Sequence, residues 1–292
     1  SSLGLCATPE RWGDLEGTNR MFSLLGPIVH EYDIRDAMRN KPPLLTPYEY
    51  HISTVDLTME EQQKYDELKT KISKFFAIWS SSKEPKKSEI KKKLDLLNFN
   101  ARRIVRGASK KLDFAIELIE EEYQENQHWL IYCDDTKMLE KLELEIRKIG
   151  IIAKTYHSKM NDFNKNKTLD LFEREGGLLI AMKCLDEGVN IPCISHGMVL
   201  SSTTNPREFV QRRGRMLRKF PGKKIALIFD TFALPHESGE NIGFLFQEIL
   251  RAKELAEDSV NKIDSVLSLN SIIRRYDVRS IPELEEEVVD FD

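Results

Sequence analysis

The arginine segment, defined as residues 211–218, carries the side chains with the clearest chemistry in this sequence. It holds four arginines and one glycine, and it lies between the apolar runs 194–200 and 225–229. A guanidinium group stays charged and offers a planar fork of donors that matches phosphate oxygens. Because side chains three residues apart share a helical face, we expect Arg215 and Arg218 to reach one polyphosphate. The spacing predicts arginine fingers for phosphoryl transfer, with a basic surface helix as the alternative.

A second candidate site lies upstream, between Leu178 and Pro192. The first part of this stretch is apolar and predicts a buried strand. The second part is polar, contains Gly188 and closes with Pro192, which predicts a loop. Because the ligands of parallel α/β sheets lie in the loops beyond the carboxyl ends of the strands, we expect this loop to lie at a ligand site.

Three patterns, in chain order, resemble the sequence motifs of superfamily 2 helicases. Residues 3–9 resemble motif III (L-G-L-T-A-T-P), residues 186–192 resemble motif V (D-E-G-x-D-x-P), and the arginine segment resembles motif VI (Q-R-x-G-R-x-x-R). Residues 21–32 are similar to the segment after motif III in XPB-type helicases and restriction translocases. The resemblance spans most of residues 1–230.

The order of apolar and amphipathic stretches predicts the fold class directly. Strands that alternate with helices of about ten residues indicate an α/β domain with a parallel sheet covered on both faces. The resemblance adds that this sheet is RecA-like, with helical additions. The predicted strands are 50–56, 129–133, 151–156, 177–181, 194–200 and 225–229. The predicted helices are 60–79, two helices divided at Gly107 within 101–124, 136–149, 162–173, 206–213 and two within 240–277.

Two local features complete the predicted elements. Thr58 and Glu61 have the spacing of a capping box at the start of the first long helix, and Ser109 is the expected cap of the helix after Gly107. The lysine-rich stretch 80–93 is predicted to be a solvated loop, with a patch that contacts a nucleic-acid backbone as the alternative.

We divide the chain into five parts on these patterns. The parts are a tail of an upstream RecA-like domain with a crossing linker (1–43), a strand and helical segment that leads into the second domain (44–125), the core of the second RecA-like domain (126–235), C-terminal helices (236–282) and an acidic tail (283–292).

The resemblance implies a nucleotide, ATP with Mg²⁺, in a cleft between two RecA-like domains. Arg215 and Arg218 match the arginine fingers, and Gln211 opens motif VI at the domain interface. Asn190 stands where the family usually has an Asp that binds ribose, so this contact loses its charge. The residues that the resemblance assigns to the nucleotide are Arg215, Arg218, Gln211, Glu187, Gly188 and Asn190.

The resemblance also implies a nucleic-acid track across the top of both domains, held by backbone phosphates. Met182 stands where the family usually has a phosphate-binding Thr, so Lys159 or Lys183 is expected to replace that contact. Cys6 replaces the first Thr of motif III. The residues assigned to nucleic-acid binding are His157, Ser158, Lys159 and Lys183. Ala7 and Thr8 are assigned to the coupling between the nucleotide state and nucleic-acid binding.

Composition and missing motifs limit the functional classes. The sequence contains no G-x-x-x-x-G-K-[ST] phosphate loop and no D-E-A-D or D-E-A-H box, so we expect a C-terminal portion of a longer protein that hydrolyses little ATP alone. No apolar run approaches the ~20 residues of a membrane span. The net charge is −4, and the four cysteines form no C-x-x-C pair, so neither a zinc site nor a disulfide framework is predicted. We expect a cytoplasmic location, with the nucleoid or nucleus as alternatives.

These observations lead to one predicted function and two alternatives. The predicted function is the C-terminal motor domain of an ATP-dependent superfamily 2 helicase or translocase that acts on DNA, with the upstream RecA-like domain as its partner. One alternative is a non-catalytic RecA-like module that binds nucleic acid or protein, which the departures at Cys6, Met182 and Asn190 favour. The other is the motor subunit of a restriction or phage-defence complex, with a nuclease or other subunits.

Overall fold

The computed structural model describes residue 4 and residues 15–182, 191–201, 213–236 and 243–276. A six-stranded parallel sheet lies at the centre of the described residues. Its strands are β1 (Tyr48–Asp56), β2 (His128–Tyr132), β3 (Lys154–Tyr156), β4 (Gly177–Ala181), β5 (His196–Val199) and β6 (Ala226–Leu234). Across the sheet the order is β1, β6, β5, β2, β4 and β3.

Helices cover both faces of this sheet. The helices are α1 (Leu15–Leu25), α2 (Ile34–Arg39), α3 (Met59–Ser81), α4 (Lys86–Arg106), α5 (Lys110–Glu122), α6 (Thr136–Lys148), α7 (Asp162–Glu175), α8 (Gly243–Asp258) and α9 (Lys262–Arg275). Helices α5 and α6 share a core with one face of the sheet, and α7, α8 and α9 share a core with the other. The predicted fold class, a RecA-like parallel sheet with helices on both faces and helical additions, is confirmed.

The inner strands form because their residues are apolar on both faces. In β2 and in β4, every residue after the first is buried. A parallel sheet between two helical layers buries both faces of its strands, so such strands are continuous apolar runs instead of alternating ones. The sequence shows these runs directly, and the two strands were therefore predicted to within one residue of their observed bounds.

Side chains fix the starts of several helices. The hydroxyl of Thr58 accepts a hydrogen bond from the backbone N–H of Glu61, and the Glu61 carboxylate accepts one from the backbone N–H of Thr58. The predicted capping box is therefore confirmed. The carboxylate of Asp135 caps α6 in a similar way, by accepting a hydrogen bond of 2.8 Å from the N–H of Met138.

Two local predictions were wrong. Most of residues 80–93 are helical, because α3 continues to Ser81 and α4 begins at Lys86, and only residues 82–85 form a loop. Helix α4 forms there because Ile90 and Leu94, one helical turn apart, are buried against α3 while the lysines remain on the outer face. Ser109 precedes α5, but its hydroxyl makes no capping bond; its backbone N–H instead donates to Glu61.

Strand β1 belongs to the central sheet, since it pairs with β6 over its whole length. It joins the long helices α3 and α4 to the sheet, and these two helices pack on each other and on Ala233 of β6. The division of the chain into five parts stays a prediction. No helix among the described residues is long and apolar enough to cross a membrane.

Candidate functional site

The described part of the arginine segment begins with a helical turn at residues 213–216 that packs closely on the sheet. Met216 is buried against Gly197 of β5. A Cβ atom added to Gly197 would lie 2.0 Å from the Met216 sulfur, so a larger residue would require the Met216 side chain or the turn to shift. Glycine at this position therefore permits the close packing of Met216 on β5.

Backbone hydrogen bonds hold the end of the arginine segment to the residues before β1. Leu45 and Arg218 form an antiparallel bridge, and the N–H of Thr46 donates to the carbonyl of Leu217 over 2.8 Å. The Thr46 hydroxyl also donates to the carbonyl of Arg218 over 3.2 Å. The backbone on which Arg218 is mounted is therefore fixed from a distant part of the sequence.

Arg213 anchors the start of the helical turn to α8. Its side chain is 3% exposed, it donates a hydrogen bond to Glu254, and it forms an ion pair of 3.6 Å with Asp258. The other oxygen of Asp258 accepts a hydrogen bond from Arg35 of α2. A buried guanidinium is tolerated only when carboxylates balance it, so Arg213 fixes the turn. The sequence analysis gave this arginine no role of its own.

The two predicted arginine fingers differ in exposure. Arg215 lies within the helical turn and is 8% exposed, whereas Arg218 follows the turn and is half-buried. The structure places both on one short backbone segment, three residues apart. Gln211 lies outside the described residues.

The predicted nucleic-acid loops meet at the edge of the sheet where the strands end. His157, Ser158 and Lys159 follow β3 at that edge, with Ser158 and Lys159 exposed. The N–H of Met182, after β4, donates to the carbonyl of Tyr156 over 3.3 Å. The hydroxyl of Thr136, after β2, lies 3.6 Å from the Met182 sulfur. The structure therefore brings these loops together.

Of the predicted site residues, Lys183, Glu187, Gly188, Asn190, Ala7 and Thr8 lie outside the described residues.

The sequence analysis did not identify the buried carboxylate of Asp230, which lies between the sheet and α8. The Tyr50 hydroxyl donates to Asp230 over 2.9 Å, and Arg251 of α8 donates to the same carboxylate oxygen over 2.5 Å. Burial raises the pKa of Asp230, and Arg251 opposes this shift. The only signal in the sequence was Asp230 at the end of an apolar run, without any indication of its partners.

Lys111 is a second residue that the sequence analysis did not assign. It lies in α5 and is 3% exposed, and its ammonium donates to the carbonyl of Leu200 over 2.8 Å. Burial lowers the pKa of Lys111. Leu200 follows β5, so Lys111 fixes the chain where it leaves the sheet toward the arginine segment.

The basic hairpin, defined as α3 and α4 with their connection (residues 59–106), concentrates positive charge. It contains thirteen Lys or Arg and seven Asp or Glu, a net charge of +6 in a chain whose total is −4. Six lysines lie at or near its tip, and Lys87 and Lys93 contact the rings of Trp79 and Phe75. Clustered positive charge attracts polyanions such as nucleic acids. The alternative prediction for residues 80–93 was a patch that contacts a nucleic-acid backbone.

A cavity of about 620 Å³ separates the base of the basic hairpin from α6. Lys64, Lys71 and Arg103 line it from the hairpin, and Lys137 and Lys141 line it from α6. Carboxylates, among them Glu61 and Glu67, also line the cavity, so its charge is mixed. Among the described residues, no three His, Cys, Asp or Glu side chains are grouped so that they could hold a metal ion.

Comparisons with known proteins agree with this arrangement. Residues 110–220 match the family described as helicase conserved C-terminal domain. The chain is 28% identical over 232 residues to the DNA 3'-5' translocase XPB2 of Sulfurisphaera tokodaii, an alignment that covers 74% of this chain and 49% of that protein. It is 28% identical over 90 residues to the ATP-dependent RNA helicase dbp8 of Aspergillus oryzae, covering 30% of this chain and 20% of that protein.

Among solved structures, the helicase domain of Pyrococcus furiosus Hef matches with a TM-score of 0.45 and 17% identity. That match covers 80% of this chain and 64% of the Hef chain. The chain spans about half the length of the Sulfurisphaera translocase and a smaller share of the Aspergillus helicase.

Proposed function

The chain carries the C-terminal RecA-like domain of a superfamily 2 helicase, and from this premise we propose that the full-length protein is an ATP-dependent DNA helicase or translocase. The observation that carries the proposal is the fixed placement of the arginine segment. Contacts from β5, from α8 and from the residues before β1 all hold a backbone of six residues that bears two candidate arginine fingers.

Arg215 and Arg218 would act on the phosphates of ATP. Their guanidinium groups match phosphate oxygens in charge and shape, so these donors fit the nucleotide. They would stabilise the charge that develops on the transferring phosphoryl group only when the cleft between the two RecA-like domains closes. Mg²⁺, which would be held mainly by the upstream domain, supplies further neutralisation of the phosphates when it is bound.

The basic hairpin and the loop at 157–159 would hold the nucleic acid. The net charge of +6 on the hairpin supports contact with backbone phosphates, and exposed Ser158 and Lys159 offer a donor and a charge at the carboxyl edge of the sheet. We choose DNA as the track because the longer of the two alignments is with a protein named a DNA translocase.

Three residue assignments extend this proposal to parts of the chain outside the described residues. Glu187, Gly188, Asn190 and Gln211 would complete the nucleotide contacts, and Lys183 would join the nucleic-acid contacts. Ala7 and Thr8 would couple the two sites. A cytoplasmic location and an association with nuclease or other subunits stay predictions.

The test is ATP hydrolysis by the full-length protein, with no nucleic acid, with single-stranded DNA, with duplex DNA and with RNA. We expect DNA to stimulate turnover and Arg218→Ala to lower kcat by about 10³-fold, within the range of an arginine finger. Arg147→Ala is the matched control, because Arg147 lies in α6 with its side chain 67% exposed. This variant is expected to keep the wild-type rate.

Each outcome selects one function. DNA-stimulated turnover that disappears only in Arg218→Ala establishes a motor whose finger lies in this chain. Stimulation by RNA alone would show that the track is RNA and not DNA. A folded full-length protein without turnover on any nucleic acid would instead be the non-catalytic module, with the arginine segment retained for structure, which the burial of Arg213 and Arg215 would then explain.

A further inference from the structure

Lys223 lies just after the arginine segment, in the turn before β6, and its side chain reaches back into that segment. Its ammonium donates to the carbonyl of Met216 over 2.5 Å and to the carbonyl of Arg218 over 3.1 Å. It also donates to the carbonyl of Pro192 over 3.4 Å. One side chain therefore joins the end of the helical turn to the residue that closes the predicted motif V loop.

The chemistry of the three carbonyls suits a lysine. The carbonyl of Met216 is the last one in the helical turn, and such carbonyls lack partners within the helix. An ammonium group has three donors, which equals the number of carbonyls here. Burial lowers the pKa of Lys223 to about 8, and the thiol of Cys193 is the titratable group that faces it. Its side chain is half-buried and bonded to backbone carbonyls, which fits a structural anchor and not a solvated surface charge.

We propose that Lys223 is a positioning residue that sets the distance between the described end of the arginine segment and Pro192, the residue that closes the predicted motif V loop. This inference rests on the proposed function, since it gives Lys223 a role in the work of Arg215 and Arg218. The carbonyls of Met216 and Arg218 belong to the backbone from which both guanidinium groups extend. Without the ammonium, those carbonyls lose the donor that links them to Pro192, and the bonds from Thr46 to the carbonyls of Leu217 and Arg218 remain.

The effect on turnover follows from where the arginines act. An arginine finger is needed in the transition state, and a displacement of about 1 Å costs up to 10²-fold in rate. Loss of such an interaction lowers kcat and leaves KM almost unchanged. A residue that only stabilises the fold would instead change the amount of folded protein and alter neither constant per active site.

The experiment compares three variants of the full-length protein in DNA-stimulated ATP hydrolysis, normalised to the folded fraction. Lys223→Met keeps the length of the side chain and removes its donors, and we expect kcat to fall about tenfold with the KM for ATP within about twofold of wild type. Lys223→Arg keeps a charged donor group and is expected to recover more than half of the missing rate. Lys224→Met is the matched control at the exposed neighbour and is expected to behave as wild type.

A second measurement does not need turnover. Hydrogen exchange of the Leu217 and Arg218 amides, which bond to the carbonyls of Arg213 and Arg215, reports whether the turn is held. We expect these amides to exchange about tenfold faster in Lys223→Met than in Lys224→Met.

The outcomes separate this inference from the proposed function. Absence of DNA-stimulated turnover in the wild type overturns the proposed function, and with it any catalytic role of Lys223. Turnover in the wild type together with an unchanged kcat in Lys223→Met overturns the inference alone. Unchanged exchange of the two amides also overturns it, because the lysine then does not hold the segment.

Discussion

Arg213 and Asp258 form a buried ion pair, with Nη1 and Oδ2 3.6 Å apart and both side chains less than 10% exposed. Oδ1 of the same aspartate accepts a hydrogen bond from Arg35 of α2. A single carboxylate at the end of α8 therefore joins the helix that precedes β1 to the arginine segment. Movement of α2 relative to the sheet would have to break this contact or move the arginine segment with it.

The first prediction concerns this carboxylate. Asp258→Asn removes one of the two charges that balance Arg213 and keeps the other, Glu254. We expect the free energy of unfolding of this chain to fall by about 1–3 kcal/mol, because a buried guanidinium then has less compensation for its charge. Urea unfolding measures the change. The exposed Asp264→Asn in α9 is the control, and an equal effect of both substitutions would contradict the prediction.

The second prediction tests the close approach of Gly197 to Met216. Gly197→Ala places a methyl group 2.0 Å from the Met216 sulfur, so we expect stability to fall by about 1–3 kcal/mol from overpacking. In a Met216→Ala background the same substitution should cost much less, because the clashing atom is gone. Unfolding of the four chains of this double-mutant cycle gives the coupling. Additive effects would show that the cost of Gly197→Ala does not come from a clash with Met216.

The third prediction concerns the charge of the basic hairpin. Replacing Lys91, Lys92 and Lys93 by Gln should weaken binding of the full-length protein to DNA and flatten its salt dependence. For each phosphate that the protein no longer neutralises, the slope of log K against log salt becomes shallower by about 0.9. Fluorescence anisotropy at several salt concentrations measures both quantities.

The control for the hairpin replaces three exposed lysines elsewhere in the chain by Gln, which alters the net charge equally. These are Lys148, Lys224 and Lys262. An equal effect of the two triple replacements would point to overall charge instead of the hairpin.

The fourth prediction concerns pH. His196 of β5 stacks on Trp129 with 4.6 Å between ring centroids, and burial lowers its pKa from 6.5 to about 4. Between these two values the unfolded chain binds a proton that the folded chain does not, so stability rises with pH across this window.

His196→Phe keeps a stacked ring and removes the titration. We expect a smaller rise in the free energy of unfolding between about pH 4 and pH 6.5 in this variant than in wild type. Urea unfolding at several pH values tests it, and parallel curves for the two chains would rule out a contribution from His196.

The sequence predicted those elements whose signal is local. The inner strands β2 and β4 are short apolar runs, and the capping box at Thr58 needs only residues three positions apart. The prediction for residues 80–93 was wrong because the stretch is rich in lysine and contains few apolar residues. Ile90 within it and Leu94 just after it stabilise a helix because α3 buries them.

The sequence likewise predicted only part of the candidate site. The arginine segment was visible because its residue types and spacing are unusual by themselves, and the loop at 157–159 was expected at the ends of the strands. The residues that hold the site were not visible. Lys223, Asp258 and Gly197 are ordinary residues in the sequence, and each acquires its role from an atom far along the chain.

By itself, the sequence determined that this protein has a parallel α/β sheet, because hydrophobic periodicity is enough to specify it. Local spacing was enough to predict an arginine segment that contacts phosphate, which stays a prediction. Only the tertiary structure decided how far β6 extends and what fixes the arginines. Strand β6 continues through Asp230 because Tyr50 and Arg251, 180 and 21 residues away, satisfy the buried carboxylate. A buried charge is stable only beside its partners, and no local pattern reveals which distant residues the fold will bring to it.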